Sequence, residues 1–325
     1  MKKIVRFLAA AVAATLIPIG ASAQGWKPTK PITFVVAVAP GSSNDIVARV
    51  VSRKLAERLG QPVVVENRPG ATGMVGASSV ARATPDGHTI VIVPSSVYMT
   101  PILTPRAGGA NFDILKDLTP IVTAGSAPYL LVANPSTNVR SSADFVAYLK
   151  KNETVSYGTA GTGSPAHIAG ELLGRSTGHK MTHIPYKGVA PAITAVLANE
   201  VPFAIVVIAG SSQHIAAGKL NAVALTDRQR TALMPDLPTF AESGVRDVDS
   251  FLYLQILAPA GTPAPAIQTL NTEINAILST AEIKNEMQNV GVQIIGGSAA
   301  DAAKRARETF RQNQQLVKDL NLTAE

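Results

Sequence analysis

Residues 156–167, Ser156-Tyr157-Gly158-Thr159-Ala160-Gly161-Thr162-Gly163-Ser164-Pro165-Ala166-His167, gather glycines, hydroxyls and an imidazole into one short stretch. Glycines let backbone N–H groups approach a ligand closely, and a helix start adds unpaired donors and a partial positive charge. Such a stretch can form one wall of an anion site. Ser164 stands where an N-cap belongs and Pro165 where the first helical residue belongs. A β-type run, Val155–Tyr157, precedes the loop, and Ile168-Ala169-Gly170-Glu171-Leu172-Leu173 continues it as a helix. The plainer reading is an ordinary strand–loop–helix connection with a good cap, because a capped glycine loop alone is a weak signal.

Ser164 and His167 stand three apart, which raises a hydrolase reading. A nucleophile elbow needs G-x-S-x-G after a strand, and Gly161-Thr162-Gly163-Ser164-Pro165 does not fit it. His167 then reads as a packing or ligand-contact residue on the first helical turn. His88, His179, His183 and His214 show no metal-type spacing such as H-E-x-x-H. There is no cysteine, so thiolate chemistry, disulfides and cysteine zinc sites are excluded. There is no P-loop and no G-x-G-x-x-G after the first strand, so no cofactor is expected; a secreted serine hydrolase is the weak alternative, and no enzyme is expected.

The elements that would position this stretch are strands alternating with helices. Pro31 leads into Ile32–Val38, a near-continuous apolar run of the kind buried on both faces. Ala39-Pro40-Gly41-Ser42-Ser43-Asn44-Asp45 is a turn rich in cap residues. Ile46, Val47, Val50, Val51, Leu55 and Leu59 follow at helical spacing, stopped by Gly60. Asp45 reads as a cap or early helical carboxylate favoured by the dipole, or as a partner for a ligand hydroxyl or cation; the structural role is favoured. Strands at Val63–Asn67 and His88–Val93 flank a small-residue helix, Val75–Ala83. The pattern predicts a parallel α/β sheet with helices on both faces. The loops Pro40–Asp45, Gly70–Gly73 and Ser95–Ser96 all follow strands, so they share the edge where such sheets hold ligands. Apolar runs at Leu118–Ala124 and Tyr129–Ala133 come next, then a second α/β set through Leu225. A strand from Phe251 to Ala258, two helices, a short strand at Gln293–Ile295 and a long polar-faced helix from Ala299 close the chain.

Lys2, Lys3 and Arg6, an apolar stretch from Phe7 to Ile19, and Ala21-Ser22-Ala23 read as a signal peptide cleaved after Ala23; an uncleaved anchor is the alternative. The expected mature chain starts at Gln24 and is exported. The leader carries three of the 29 basic residues and none of the 22 acidic ones, so its removal lowers the net charge from +7 to +4. That mild excess, with no basic run interleaved with aromatics, argues against nucleic acid as a partner. Apolar residues make up 46% of the 325 positions, enough for two domains with real cores. No Gly/Ser-rich or charged linker separates them, which more than one crossover between domains would explain.

A set of strings then resembles one family, the Bug receptors, the extracytoplasmic solute receptors of tripartite tricarboxylate transporters. They include Lys30-Pro31-Ile32, Pro40-Gly41 with Asp45-Ile46-Val47-Ala48-Arg49, Leu59–Ala71, Pro85-Asp86-Gly87 and Leu115–Ile121. Gly161–His167, Ile184-Pro185-Tyr186-Lys187-Gly188, Pro235–Thr239 and Leu257–Pro263 continue the likeness in order along the mature chain. The resemblance implies an α/β, two-domain periplasmic binding protein of the Venus-flytrap type. Each domain would be a mostly parallel sheet flanked by helices, with the ligand in the interdomain cleft. Domain 1 would comprise 24–122 and 224–325, and domain 2 would comprise 123–223. It implies a monomer that captures a small carboxylate by hinge closure and delivers it to permease subunits, or docks on a sensor protein. Carried over by position, the ligand contacts would be Gly41, Ser42, Ser43, Asp45, Ser95, Ser96, Thr159, Gly163, Ser164 and His167, with Tyr186 and Lys187 nearby. Lys187 reads equally as a carboxylate partner or a solvated lysine.

The chain departs from the family pattern at Ser42-Ser43 and at Thr72-Gly73-Met74, where glycines are usual. It also departs at the apolar Val206-Val207-Ile208-Ala209, where an Asp or Asn is usual, and at Tyr253, where a Trp is common. These changes point to a cleft with an apolar flank, suited to an aromatic or aliphatic acid.

Overall fold

The computed structural model describes residues 25–106, 109, 111–246, 248, 250–320 and 322. The expected leader and its cleavage site lie outside the described residues.

The first lobe is a sheet in the order β2-β1-β3-β9-β4, with β10 also on β4. Its strands are β1 (Ile32–Val36), β2 (Val63–Asn67), β3 (Thr89–Pro94), the first part of β4 (Leu118–Ala133), β9 (Phe251–Pro259) and β10 (Gln293–Gly296). The second lobe uses the rest of β4 with β5 (Val155–Thr159), β6 (Met181–Pro185), β7 (Phe203–Val207) and β8 (Asn221–Leu225). Where the sequence shows two apolar runs, the backbone forms one strand of 16 residues that passes from sheet to sheet. Its first part pairs with β9 as far as Pro128↔Phe251, and from Tyr129 it pairs with β7. The chain returns through Thr226 and Ser250, whose backbones bond to each other (Ser250 N to Thr226 O, 3.1 Å), while Thr226 N donates to Tyr129 O at 3.0 Å.

The sheets are mixed. β1 runs parallel to β2 and β3, and β5 runs parallel to β6 and β7, as expected. Around β4 and β9 every pairing is antiparallel. The expectation of mostly parallel sheets fails there because these strands carry the chain out of one lobe and back, and so run in opposite directions.

Side-chain alternation along β1 explains how helices cover both faces. Ile32, Phe34 and Val36 meet Val47, Val51 and Leu55 of α1 (Ser43–Leu59) and Leu270 and Ile274 of α9 (Ala264–Leu278). Val35 and Ala37 face Met74, Ala77 and Val80 of α2 (Met74–Ala81). That face also carries the short helix α4 (Ile114–Asp117), while α3 (Thr100–Leu103) packs its Leu103 against the first cluster. In the second lobe, Leu131, Phe203 and Ile205 meet α5 (Ser142–Lys151) and α6 (Pro165–Thr177). Leu130, Val132 and Val206 meet α7 (Val189–Leu197) and α8 (Ile208–Ala216). After α9 come α10 (Ala281–Asn289) and α11 (Ala299–Asp319). The last of these crosses back over β4 and over the turn after β3, which brings the end of the chain to the cleft between the lobes.

Candidate functional site

In the first lobe the ends of β1 and β3 and the turn after β2 build one wall. Ser42, in extended conformation, caps α1 by accepting the Asp45 amide at 3.3 Å. The Asp45 side chain is only 5% exposed and its carboxylate is fully engaged. It accepts from the Gly41 amide (2.9 Å), Arg49 Nε (3.0 Å) and Asn67 Nδ2 (2.9 Å). Burial opposes its ionisation, but those hydrogen bonds and the Arg49 charge outweigh it and hold its pKa below the ordinary carboxylate value. Asp45 therefore fastens its own loop. Ser43 is buried beside it. After β3, Ser95–Tyr98 forms a short 3₁₀ turn running into α3. Ser95 Oγ accepts the Tyr253 amide at 3.2 Å, which leaves its own proton to donate. Ser96 Oγ donates to Thr72 O at 2.9 Å.

The second wall is the glycine loop. Ser164 has extended backbone angles and its hydroxyl accepts the His167 amide at 3.2 Å, with Pro165 opening α6. Gly163 lies at φ +74° and donates its N–H to His167 Nδ1 at 3.1 Å. Nδ1 is thereby an acceptor, and the ring proton sits on Nε2, 3.7 Å from Glu171 Oε1. Glu171 Oε1 also accepts from Tyr157 Oη at 2.9 Å. His167 stacks on His183 with centroids 3.9 Å apart, and His183 Nε2 lies 2.7 Å from Thr159 Oγ1. Burial pushes the His167 pKa down to about 4. Burial, helped by the neighbouring ring, pushes His183 down to about 3. Both imidazoles are neutral at physiological pH and work inside the lobe. Thr159 is fully buried with them.

A cavity of about 200 Å³ separates the walls. Ser95, Ser96, Met99, Tyr253 and Arg305 line it from the first lobe, and Gly163, Pro165 and Ile168 line it from the second. Of the positions nominated from the sequence, it brings together Ser95, Ser96 and Gly163. Gly41, Ser42, Ser43, Asp45, Thr159, Ser164, His167, Tyr186 and Lys187 do not line it. Tyr186 is half-buried at the end of β6, and Lys187 is exposed beyond it. The lobes touch around the cavity. Ser250 Oγ donates to Pro165 O at 2.6 Å. A Cβ on Gly163 would stand 2.9 Å from Leu103 Cδ1 of the first lobe, a methyl that can turn aside, but the φ of +74° strains any side chain there. Among the described residues, no cluster of three or more His, Cys, Asp or Glu could hold a metal, and no helix is long and apolar enough to cross a membrane.

Sequence reasoning missed Ser250, Arg305 and His183. Tyr253 was visible only as a departure from a family pattern. Arg305 carried no local signal, because only the packing of α11 against the turn after β3 brings it to the cleft.

Residues 47–322 match the family profile described as the tripartite tricarboxylate transporter family receptor. The chain belongs to this family. Among its relatives, BugT of Bordetella pertussis (strain Tohama I) is 34% identical over 257 residues, which is 79% of this chain and 78% of BugT. Rpa4515 of R. palustris, solved with adipate, superposes with a TM-score of 0.85 at 30% identity, covering 91% of this chain and 99% of that one. MatC from Rhodopseudomonas palustris, solved with bound malate, gives 0.79 at 27% identity, covering 89% and 99%. The fold of this receptor-family chain is that of the two-domain periplasmic binding proteins.

Proposed function

We propose that this chain is a periplasmic receptor that captures a small carboxylate between its lobes by hinge closure. It then delivers the acid to the permease of a tripartite tricarboxylate transporter. The observation that carries the reading is a cavity lined by both lobes, which two backbone passages join among the described residues, with Ser95 on one wall and the start of α6 on the other. In this reading the chain changes lobe at Pro128–Tyr129 and returns after Leu225, a few residues beyond the 122/123 and 223/224 boundaries expected from the sequence. The hydroxyl proton of Ser95 and the α6 dipole, reaching the cavity at Gly163 and Pro165, meet one carboxylate, while Ser164 caps the helix behind them. Asp45, Thr159 and His167 hold the loops that present them. The cavity lies below the roughly 300 Å³ at which sites for drug-sized ligands begin, which favours a metabolite-sized acid. Met99, Ile168 and Leu316 give it an apolar flank, which suits an aliphatic or aromatic body. Adipate, the ligand solved with Rpa4515, has that shape.

The test is a thermal-shift screen of ligand-stripped protein against mono-, di- and tricarboxylates, aromatic acids, amino acids and amides. A ligand at about a hundred times its dissociation constant adds roughly 2.7 kcal/mol of stability. A hit among aliphatic or aromatic acids is expected. Hits confined to amino acids or amides would overturn the carboxylate reading. Citrate-like acids binding far better than adipate or aromatic diacids would overturn the apolar flank.

A further inference from the structure

Arg305 of α11 is the one cationic side chain lining the cavity among the described residues. It is half-buried, and its guanidinium lies over the Tyr253 ring, 4.6 Å from the ring centroid. It makes no ion pair and no side-chain hydrogen bond among the described residues. Stacking occupies the face of the guanidinium and leaves the N–H donors at its rim unsatisfied, in a fork that matches a carboxylate. Of the neighbouring acids on the helix, Asp301 has its pKa lowered first by its Ser298 hydrogen bonds and then also by the Arg305 charge, without forming an ion pair with Arg305. Asp301 accepts from the Ser298 amide and hydroxyl at the helix start. Glu308, also on the cavity lining, lies 3.9 Å from Lys304 Nζ. The same cavity is lined by Gly163 and Pro165 at the start of α6 and by the apolar side chains of Met99 and Ile168.

We infer that Arg305, seated on Tyr253, is a specificity-determining residue: it receives a second carboxylate, so the cleft selects diacids with an apolar middle over the matching monoacids. This rests on the carboxylate reading above and adds the group that sets the ligand's charge. Tyr253 acts by fixing the guanidinium plane, and the first carboxylate stays at the α6 start.

Calorimetric titration of the mature chain with adipate against hexanoate, glutarate against pentanoate and phthalate against benzoate tests it, in wild type, Arg305→Gln and Arg305→Lys. A charge-assisted bidentate pair corresponds to roughly a ten- to hundredfold preference for the better-fitting diacid over its monoacid. Arg305→Gln is expected to abolish that preference by weakening the diacid at least about tenfold more than its monoacid; Arg305→Lys, which keeps the charge but loses the fork, retains part of it. A wild type without diacid preference overturns the inference. So does an Arg305→Gln variant that weakens both members of a pair equally or leaves the preference intact; either result leaves the carboxylate reading standing. Binding of no carboxylate at all defeats that reading and this one together.

Discussion

Acidification should loosen the second lobe well before ordinary carboxylates titrate. The perturbation is a shift from pH 7.5 to pH 5. In the folded protein, His167 and His183 are stacked and neutral, the first buried and the second half-buried, with pKa values held down to about 4 and about 3. Unfolded histidines take up protons near pH 6.5. The unfolded chain therefore binds more protons as the pH drops below that value. The stability contributed by the pair is fully present above about pH 6.5 and drains as the pH falls toward the folded values. Each ring that stays neutral only in the folded state costs roughly 1.4 kcal/mol per pH unit in that window. From pH 6.5 to 5 this amounts to about 2 kcal/mol for His167 and, if His183 follows, up to about twice that. Asp45 is held below the ordinary carboxylate value, so it leaves the window undisturbed. Urea denaturation of ligand-free protein across pH 5–7.5 measures the slope, and the double variant His167→Gln, His183→Gln should flatten it. Proton NMR of the imidazoles adds an independent reading. A native ring titrating near pH 6.5, or a slope unchanged in the double variant, would refute the reasoning.

Three further outcomes are expected. Gly170→Ala places a methyl group into the Tyr157 ring, which is fully buried and tied to Glu171; it should destabilise the fold by roughly 1–3 kcal/mol, read as a lower midpoint in urea. Ser250→Ala removes the 2.6 Å bond to Pro165 O that joins the lobes. The loss of about 1 kcal/mol should fall on the closed form, so small-angle scattering should show a more open ligand-free protein. Asp45→Ala removes the carboxylate that ties together the Gly41 amide, Arg49 and Asn67; Gly41 and Arg49 can turn to water, so the lost hydrogen bonds should cost roughly 1–2 kcal/mol, seen in thermal unfolding.

Local chemistry was readable where one residue type has one physical job. Ser164 and Pro165 open α6 as their types predict, Ser141 caps α5, and Gly60 ends α1 in the left-handed region. The strand β4 was readable only as two pieces, because Gly125-Ser126-Ala127-Pro128 interrupts its apolar pattern. What carries the strand through is pairing with β9, a partner more than a hundred residues away. Strand direction was hidden for the same reason: a buried apolar run looks alike whichever way its neighbour runs. The glycine loop was legible as a loop but not as to which N–H groups stay free. The fate of the Gly163 donor depends on a ring four residues on, and the pose of that ring depends on His183 in another strand.

Proline at position 128 gives the strand shared by both lobes a mechanical character. It stands where β4 leaves β9, and the next residue, Tyr129, begins the pairing with β7. A proline offers no N–H to a ladder. At that point a rung is missing by chemistry, so a bend breaks no bond that the proline could have made. The proposed opening would then work like a torsion bar flexed at its thinnest section. Its resistance would come from the few contacts that latch the rims together, such as Ser250 on Pro165, while both sheets keep their own hydrogen bonds. Amide exchange would show this as protection that stays high in β1 and β7 and is lowest around the 126–129 and 226–250 passages.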